Sequence, residues 1–164
     1  MKTYIILLSL LLVGTAYGGD DQIVTDVGLG SFGSRGASLS QDKFAKLGLQ
    51  EELWNPFYQR FNVGGWLDTR GQGNSSAAFG GYQIGFEVTN DVFQGSVWTG
   101  PAVISGTDSE LGGILEFNET IFFGVVDKNQ DSIGVAYNHF SDASIESGPN
   151  RGRDYIGLEI KCPF

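Results

Sequence analysis

A strict alternation of apolar and polar residues dominates the chain after its first eighteen residues. One example alternates Tyr82, Ile84, Phe86 and Val88 with small or polar residues, and another does the same with Ile156, Leu158 and Ile160. Successive side chains of a β-strand point to opposite faces, so this period of two predicts strands with one apolar face. Few segments show the three-and-four spacing of a helix, and an all-β fold is therefore expected.

Eight such runs can be counted along the sequence. They lie at 22–32, 43–54, 60–68, 79–89, 93–104, 113–126, 132–141 and 154–163. Their average length is close to the roughly 9 to 11 residues of a tilted membrane-spanning strand. The connections after the second, fourth and sixth runs are compact, whereas the others are mostly longer and richer in Gly and Ser. This asymmetry predicts an eight-stranded antiparallel transmembrane β-barrel of the outer membrane, with short periplasmic turns and long extracellular loops.

A water-soluble barrel or sandwich alternates in the same way, with its apolar residues facing inward. The terminal Phe164 favours the membrane, because it resembles the aromatic C-terminal residue of bacterial outer-membrane proteins and is in phase with the apolar face of the last run. Trp54, Trp66 and Trp98 fall near strand ends or the membrane belt, where either an aromatic girdle or ordinary packing accounts for them.

The first eighteen residues have the pattern of a secretory signal. Lys2 precedes an apolar run at 4–13, and small residues follow at Ala16 and Gly18. The run is well short of the roughly 20 residues that a membrane-spanning helix needs. We expect cleavage after Gly18, which leaves 19–164 as the barrel domain.

Charge and composition exclude several classes of function. The net charge of −9 argues against nucleic acid as a partner, since clustered Lys and Arg are missing. The chain has a single Cys, Cys162, and a single His, His139. An internal disulfide is therefore impossible and a His-rich zinc site is excluded. Cys162 is expected to be an inert apolar side chain.

One segment, which begins at Asn138, gathers the groups that nucleophilic catalysis needs. His139 and Ser141 are two residues apart on a predicted strand, so both point to one face. A hydroxyl becomes a good nucleophile when a neighbouring base takes its proton, and imidazole suits that task near neutral pH. Asp154 opens the next run in phase with its apolar face, where it can orient the imidazole.

The phase of these residues predicts where they point. Tyr137, Val135 and Ile133 precede His139 on the same face and are apolar, so His139 and Ser141 are expected to project toward lipid. If the last strand ends at the periplasm, Asp154 begins it near the extracellular rim. The three polar groups would then meet on the outer wall of the barrel. Polar side chains that face lipid cost free energy, so a cluster of them there indicates a functional role.

The same segment resembles the C-terminal motif of the PagL family of lipid A 3-O-deacylases. The matching residues are His139, Ser141 and Ala143, followed by Pro149, Asn150 and Gly152. The resemblance implies an outer-membrane barrel that hydrolyses the ester-linked 3-hydroxyacyl chain at position 3 of lipid A, without a metal or other cofactor. It also implies that Ser141 is the nucleophile, His139 the general base and then acid, and Asp154 the orienting carboxylate.

The chain departs from the family pattern at two positions. Asp142 replaces Asn in the oxyanion region, and an ionised carboxylate there would repel the developing oxyanion instead of donating a hydrogen bond. Either activity is impaired or backbone N–H groups supply the oxyanion hole. Asp154 stands where the family pattern has Glu, and the loop before it is one residue longer than in that pattern. Glu146 is the reserve candidate for the carboxylate that orients His139. Arg151 and Arg153 are expected in the rim loop, as donors to lipid A phosphates or as solvated charges.

Three functions are compatible with these sequence features. The leading hypothesis is an outer-membrane esterase whose partner is lipid A within lipopolysaccharide. A non-catalytic outer-membrane barrel for adhesion or surface protection needs the same fold without the three catalytic groups. A soluble, secreted lipid-binding barrel is the third.

Overall fold

The computed structural model describes residues 21–30, 42–67, 76–106, 111, 113–142 and 152–164. These residues form eight strands: β1 (Gln22–Leu29), β2 (Lys43–Trp54), β3 (Phe57–Leu67), β4 (Ala77–Thr89), β5 (Phe93–Ile104), β6 (Leu115–Val126), β7 (Ser132–Ser141) and β8 (Arg153–Pro163). Each strand pairs with the next, and β1 pairs antiparallel with β8, which closes the barrel. No helix in the described ranges is long and apolar enough to cross a membrane. The predicted eight-stranded antiparallel β-barrel is confirmed.

The third strand begins earlier than the sequence pattern predicted. The connection expected from Trp54 to Arg60 is a two-residue turn at 55–56, because Trp54 already pairs with Phe57 across it. Pro56 has no N–H to donate to a ladder, which ends β2 there, and the aromatic residues that follow favour a strand. Smaller shifts place the starts of β4, β6 and β8 at Ala77, Leu115 and Arg153. Residues 31–32 of the first predicted run lie outside the described residues.

The outer wall of the barrel is apolar and the interior is largely polar. Exposed apolar side chains on the wall include Val27, Leu49, Phe61, Ile84, Val97, Ile121, Val135 and Leu158. Buried polar side chains of the interior include Asp26, Lys46, Arg60, Glu87, Gln94, Asn138, Glu159 and Lys161. This distribution is the reverse of that in a water-soluble barrel and is typical of a barrel surrounded by lipid.

The buried charges of the interior are paired across the barrel. Arg60 of β3 donates to Glu159 of β8 at 3.2 Å, and Lys161 donates to Glu87 of β4 at 2.6 Å. Lys46 of β2 donates to the amide oxygen of Asn138 on β7 at 2.7 Å. Buried charges need such partners, and these bonds tie distant strands together through the interior.

Near the end of β7 and the beginning of β8 the interior becomes aromatic. The side chains involved, called here the inner aromatic cluster, are Phe44, Trp66, Phe79, Phe140 and Tyr155. Their packing is close, with ring centroids 4.7 Å apart for Phe44 and Tyr155 and 4.8 Å for Phe79 and Phe140. Such pairs stabilise a fold beyond the area that they bury. The inner aromatic cluster therefore gives this end of the barrel a packed interior.

The three tryptophans divide between the two explanations that the sequence left open. Trp66 and Trp98 are only 2% and 3% exposed, so both are interior packing residues. Trp54 is 63% exposed at the end of β2, beside the turn at 55–56, as a residue of an interfacial girdle would be.

Candidate active site

His139, Ser141 and Asp154 all lie at one end of the β7–β8 pair. His139 and Ser141 are in the last three residues of β7, and Asp154 is the second residue of β8. His139 and Asp154 are direct cross-strand partners in the antiparallel register. Residues opposite each other in such a pair have their Cβ atoms about 5 Å apart, so register alone brings the two side chains together.

The imidazole of His139 is bound to the carboxylate of Asp154. His139 Nδ1 lies 2.6 Å from Asp154 Oδ1, and the two side chains are 26% and 16% exposed. When Nδ1–H donates to a carboxylate, the lone pair of the neutral ring lies on Nε2. This is the tautomer that a base needs if Nε2 is to take a proton from a hydroxyl.

Ser141 lies on the same outer face, two residues beyond His139, and is half-buried. Within the described residues, no hydrogen bond joins its hydroxyl to the imidazole, whose ring is hydrogen-bonded to Asp154. Residues two apart on a strand have Cα atoms about 6.5 Å apart, so their side chains must lean toward each other to meet. Catalytic hydrogen bonds often shorten only when substrate binds.

Tyr137 is a polar neighbour of this pair that the sequence interpretation took for part of the apolar face. Its hydroxyl donates to Asp154 Oδ1 at 2.5 Å, the same oxygen that His139 contacts. The sequence feature that could have identified Tyr137 is its phenol on the same strand face, two residues before the histidine. The carboxylate of Asp154 therefore holds two donors from β7.

Glu119 is a second residue that the sequence interpretation missed. It pairs with His139 across β6 and β7, and its side chain is exposed on the outer wall. Glu119, His139 and Asp154 thus form a row across three strands, with the imidazole between two carboxylates. The sequence feature that could have identified Glu119 is its charge on an otherwise apolar face, in phase with Phe117 and Ile121.

Gly152 packs directly against the imidazole. A Cβ added to Gly152 would lie 2.5 Å from His139 Cε1 and 3.2 Å from Nε2. Its φ of 67° is also in the left-handed region that side chains disfavour. Both the space and the backbone therefore require glycine immediately before β8.

The inner aromatic cluster supports the site from behind. Phe140 lies between His139 and Ser141 on β7, and Tyr155 follows Asp154 on β8. Both side chains are fully buried and face inward. Strand alternation therefore places the polar residues outside and their aromatic neighbours inside, so that packing in the interior holds the site strands in place.

Asp142, expected in the oxyanion region, directly follows the last residue of β7. Asp142 is fully buried and shares the inward phase of Phe140, whereas Ser141 points outward. Alternation continued one residue past the end of β7 directs this buried carboxylate away from the outer wall, the face on which Ser141 lies.

The structure also corrects the expected location of Arg153. This residue opens β8 with its side chain inside the barrel, 3.4 Å from Asp42 and over the ring of Trp66. It was expected in the rim loop, and an inward side chain that is paired with a carboxylate is not placed to meet a lipid phosphate. Arg151, the reserve carboxylate Glu146 and the motif residues at 143, 149 and 150 lie outside the described residues.

The chemistry available at this site is that of acids, bases and nucleophiles. In the described ranges, no group of three His, Cys, Asp or Glu side chains is placed to hold a metal ion. A hydroxyl, an imidazole and a carboxylate on one surface, with the imidazole already oriented, are the groups of an ester hydrolase.

Comparison with known proteins agrees with the fold. The chain is similar in structure to the outer-membrane enzyme PagL, with 21% identity and a TM-score of 0.64 over 87% of this chain and 99% of that one. It also resembles Neisserial surface protein A (NspA), with 12% identity and a TM-score of 0.52 over 90% and 100% of the two chains. No curated protein matches it significantly. The family model for lipid A 3-O-deacylase (PagL) matches residues 43–163, and the chain therefore belongs to the PagL family.

Proposed function

We propose that this protein is an outer-membrane esterase that removes the 3-O-linked 3-hydroxyacyl chain from lipid A. The observation that carries the proposal is the bond of 2.6 Å between His139 and Asp154 on the outer wall, with Ser141 on the same face. Membership of the lipid A 3-O-deacylase family supports the reaction and the substrate. In this proposal Ser141 is the nucleophile, His139 the base and acid, and Asp154 the carboxylate that orients the imidazole.

The first half of the reaction transfers the acyl chain to the enzyme. His139 Nε2 takes the hydroxyl proton while Ser141 Oγ attacks the ester carbonyl, which forms a tetrahedral intermediate. The intermediate collapses as the sugar oxygen leaves and receives the proton from His139. The products of this half are the free 3-hydroxyl of the sugar and an acyl ester on Ser141.

The second half releases the fatty acid. Water gives a proton to His139 Nε2 and attacks the acyl ester, and Ser141 regains the proton as it leaves. The oxyanion of each intermediate needs hydrogen-bond donors. The side chain of Asp142 faces the interior, so backbone N–H groups near Ser141 are the donors in this proposal.

The position of the site on the outer wall suits a substrate that stays in the membrane. Tyr137 pairs with Ile121 of β6 on one side and Ile156 of β8 on the other, so apolar side chains continue the outer face below His139. An acyl chain lying along this wall would keep its hydrocarbon in lipid while its ester reaches Ser141. The substrate need not enter the barrel, whose interior is filled by paired charges and aromatic rings.

The proposal includes export and a defined orientation. The signal at 1–18 would direct the chain through the inner membrane and be removed, and 19–164 would insert into the outer membrane. The compact turns would face the periplasm, which places His139 and Ser141 at the outer leaflet, where lipopolysaccharide lies.

The test is expression in a bacterial host with defined lipid A, followed by mass spectrometry of that lipid. We expect the loss of one 3-hydroxyacyl group with the wild-type protein and intact lipid with Ser141→Ala or His139→Asn. Thr25→Ala is the matched control, because it removes a hydroxyl from β1 at the level of Ile160, far from the site.

Two other results would contradict the proposal. Unmodified lipid A in the presence of a folded, heat-modifiable barrel would favour a non-catalytic surface protein. Recovery of the mature protein from a detergent-free supernatant would favour a soluble lipid-binding barrel.

A further inference from the structure

We propose that Tyr137 is a positioning residue of this site, whose hydroxyl fixes the Asp154 carboxylate so that it can orient His139. The inference rests on the proposed function for its kinetic consequences. Its structural content is independent of the substrate, because it concerns one hydrogen bond and the imidazole next to it.

The geometry is a convergence of two donors on one oxygen. Tyr137 Oη lies 2.5 Å and His139 Nδ1 lies 2.6 Å from Asp154 Oδ1. Tyr137 and His139 share the outer face of β7, and Asp154 is the cross-strand partner of His139 on β8. Tyr137 is thus diagonal to Asp154, a separation that a long aromatic side chain can span.

A carboxylate with a single hydrogen bond can rotate about its side-chain bonds and lose alignment with that donor. The second donor of Asp154 comes from the same strand as His139, so any rotation that misaligns the imidazole also breaks the bond to the phenol. Hydrogen bonds to an ionised group at these distances are about twice as strong as neutral ones. The hydroxyl of Tyr137 therefore restrains the carboxylate in the orientation that His139 requires.

The hydroxyl can be removed without removing the ring. The side chain of Tyr137 is 36% exposed on the outer wall, where its cross-strand partners are Ile121 and Ile156. Phenylalanine at this position keeps the apolar contacts and the lipid-facing surface. A change caused by Tyr137→Phe can therefore be assigned to the hydrogen bond.

The kinetic test measures Tyr137→Phe on lipid A in mixed micelles. The free energy of a hydrogen bond to a charged group, if lost in the transition state, corresponds to about a 10- to 100-fold fall in rate. We expect this fall in kcat with KM changed less than about twofold, because the phenol acts on the imidazole through Asp154. In an Asp154→Ala background the same change should have no further effect.

Tyr82→Phe is the matched control. Tyr82 lies on β4, where its hydroxyl donates to Gln59 at 3.2 Å, away from the site. This variant loses a phenol hydroxyl of the same wall and should keep the wild-type kcat. An equal loss in both variants would assign the effect to the membrane surface and overturn the inference.

A spectroscopic test separates this inference from the proposed function. His139 is the only histidine of the chain, so ¹⁵N-histidine labelling of protein without a histidine tag gives one unambiguous imidazole. We expect the wild type and Tyr82→Phe to show the Nδ1–H tautomer with a strongly downfield Nδ1 proton, and Tyr137→Phe to show an upfield shift and mixed tautomers. An unchanged Tyr137→Phe spectrum would overturn the inference even in an active enzyme. A wild type that leaves lipid A intact but shows the expected spectra would refute the proposed function and leave Tyr137 as the group that positions Asp154.

Discussion

Ser141 ends β7 and Asp142 follows it directly, yet their side chains take opposite directions. Ser141 points to the outer wall, whereas Asp142 is fully buried in the interior. The departure from the family motif at position 142 therefore changes the interior of the barrel and leaves the lipid-facing surface as it is.

Asp142→Asn tests this separation. We expect kcat on lipid A within about threefold of the wild type, because a group inside the barrel does not contact an oxyanion outside it. The free energy of unfolding, measured by urea titration in micelles, should change instead, since a buried carboxyl group has been replaced by an amide. A rise in kcat of about 100-fold is the effect expected of one added oxyanion donor. That result would show that the side chain of residue 142 does contact the oxyanion.

Gly152→Ala is expected to displace the imidazole. The new Cβ would stand 2.5 Å from His139 Cε1, and the φ of 67° costs a residue with a Cβ about 1 to 2 kcal/mol. We expect kcat to fall by at least about tenfold in protein that still folds, as judged by heat-modifiable mobility on gels. Gly80→Ala is the control, because its nearest neighbour would be 4.0 Å away. Full activity of Gly152→Ala would show that the ring does not depend on this contact.

The sequence was sufficient to predict the fold and the face on which the candidate site lies. Alternation with a period of two needs no knowledge of pairing, because a strand residue and its neighbour at two positions always share a face. That rule placed His139 and Ser141 on the apolar face, and the assignment to a membrane barrel made this face the outer wall. The order of short and long connections then indicated which end of the barrel carries them.

Cross-strand register and strand boundaries were not predictable in the same way. The alignment of Glu119 with His139, and of Tyr137 diagonally with Asp154, depends on how β6, β7 and β8 are staggered. No single strand contains that information. A boundary error of one residue also has a large effect, because it decided whether Arg153 was assigned to a loop or to an inward position of β8.

Glu119→Lys is expected to lower the rate of acyl transfer. Glu119 is the cross-strand partner of His139, which in the proposed mechanism becomes positively charged when it takes the Ser141 proton. An ammonium on the neighbouring strand disfavours that charge, and screening at an exposed site limits the effect to about tenfold in kcat. The measurement is kcat at two salt concentrations, with the difference from the wild type shrinking at high salt. Glu51→Lys on β2 makes the same change far from the site and should leave kcat unaltered. Equal rates for both variants would place Glu119 outside the electrostatic environment of the imidazole.

Phe140→Ala is expected to be strongly destabilising, because the inner aromatic cluster is the support of the site strands. Phe140 is fully buried and packs against Phe79 with centroids 4.8 Å apart. Truncation of a core phenylalanine costs about 3 to 5 kcal/mol, which includes the cavity that remains.

Phe123→Ala on the lipid-facing side of β6 provides the comparison. Phe123 is 64% exposed, so lipid fills the space that its ring leaves and the loss is limited to the transfer free energy, about 1.5 to 3 kcal/mol. Equilibrium unfolding in urea, followed by the shift between folded and unfolded mobility on gels, measures both variants. If Phe140→Ala is no less stable than Phe123→Ala, the interior at this end is loosely packed, and the orientation of His139 must then depend on contacts made on the outer wall.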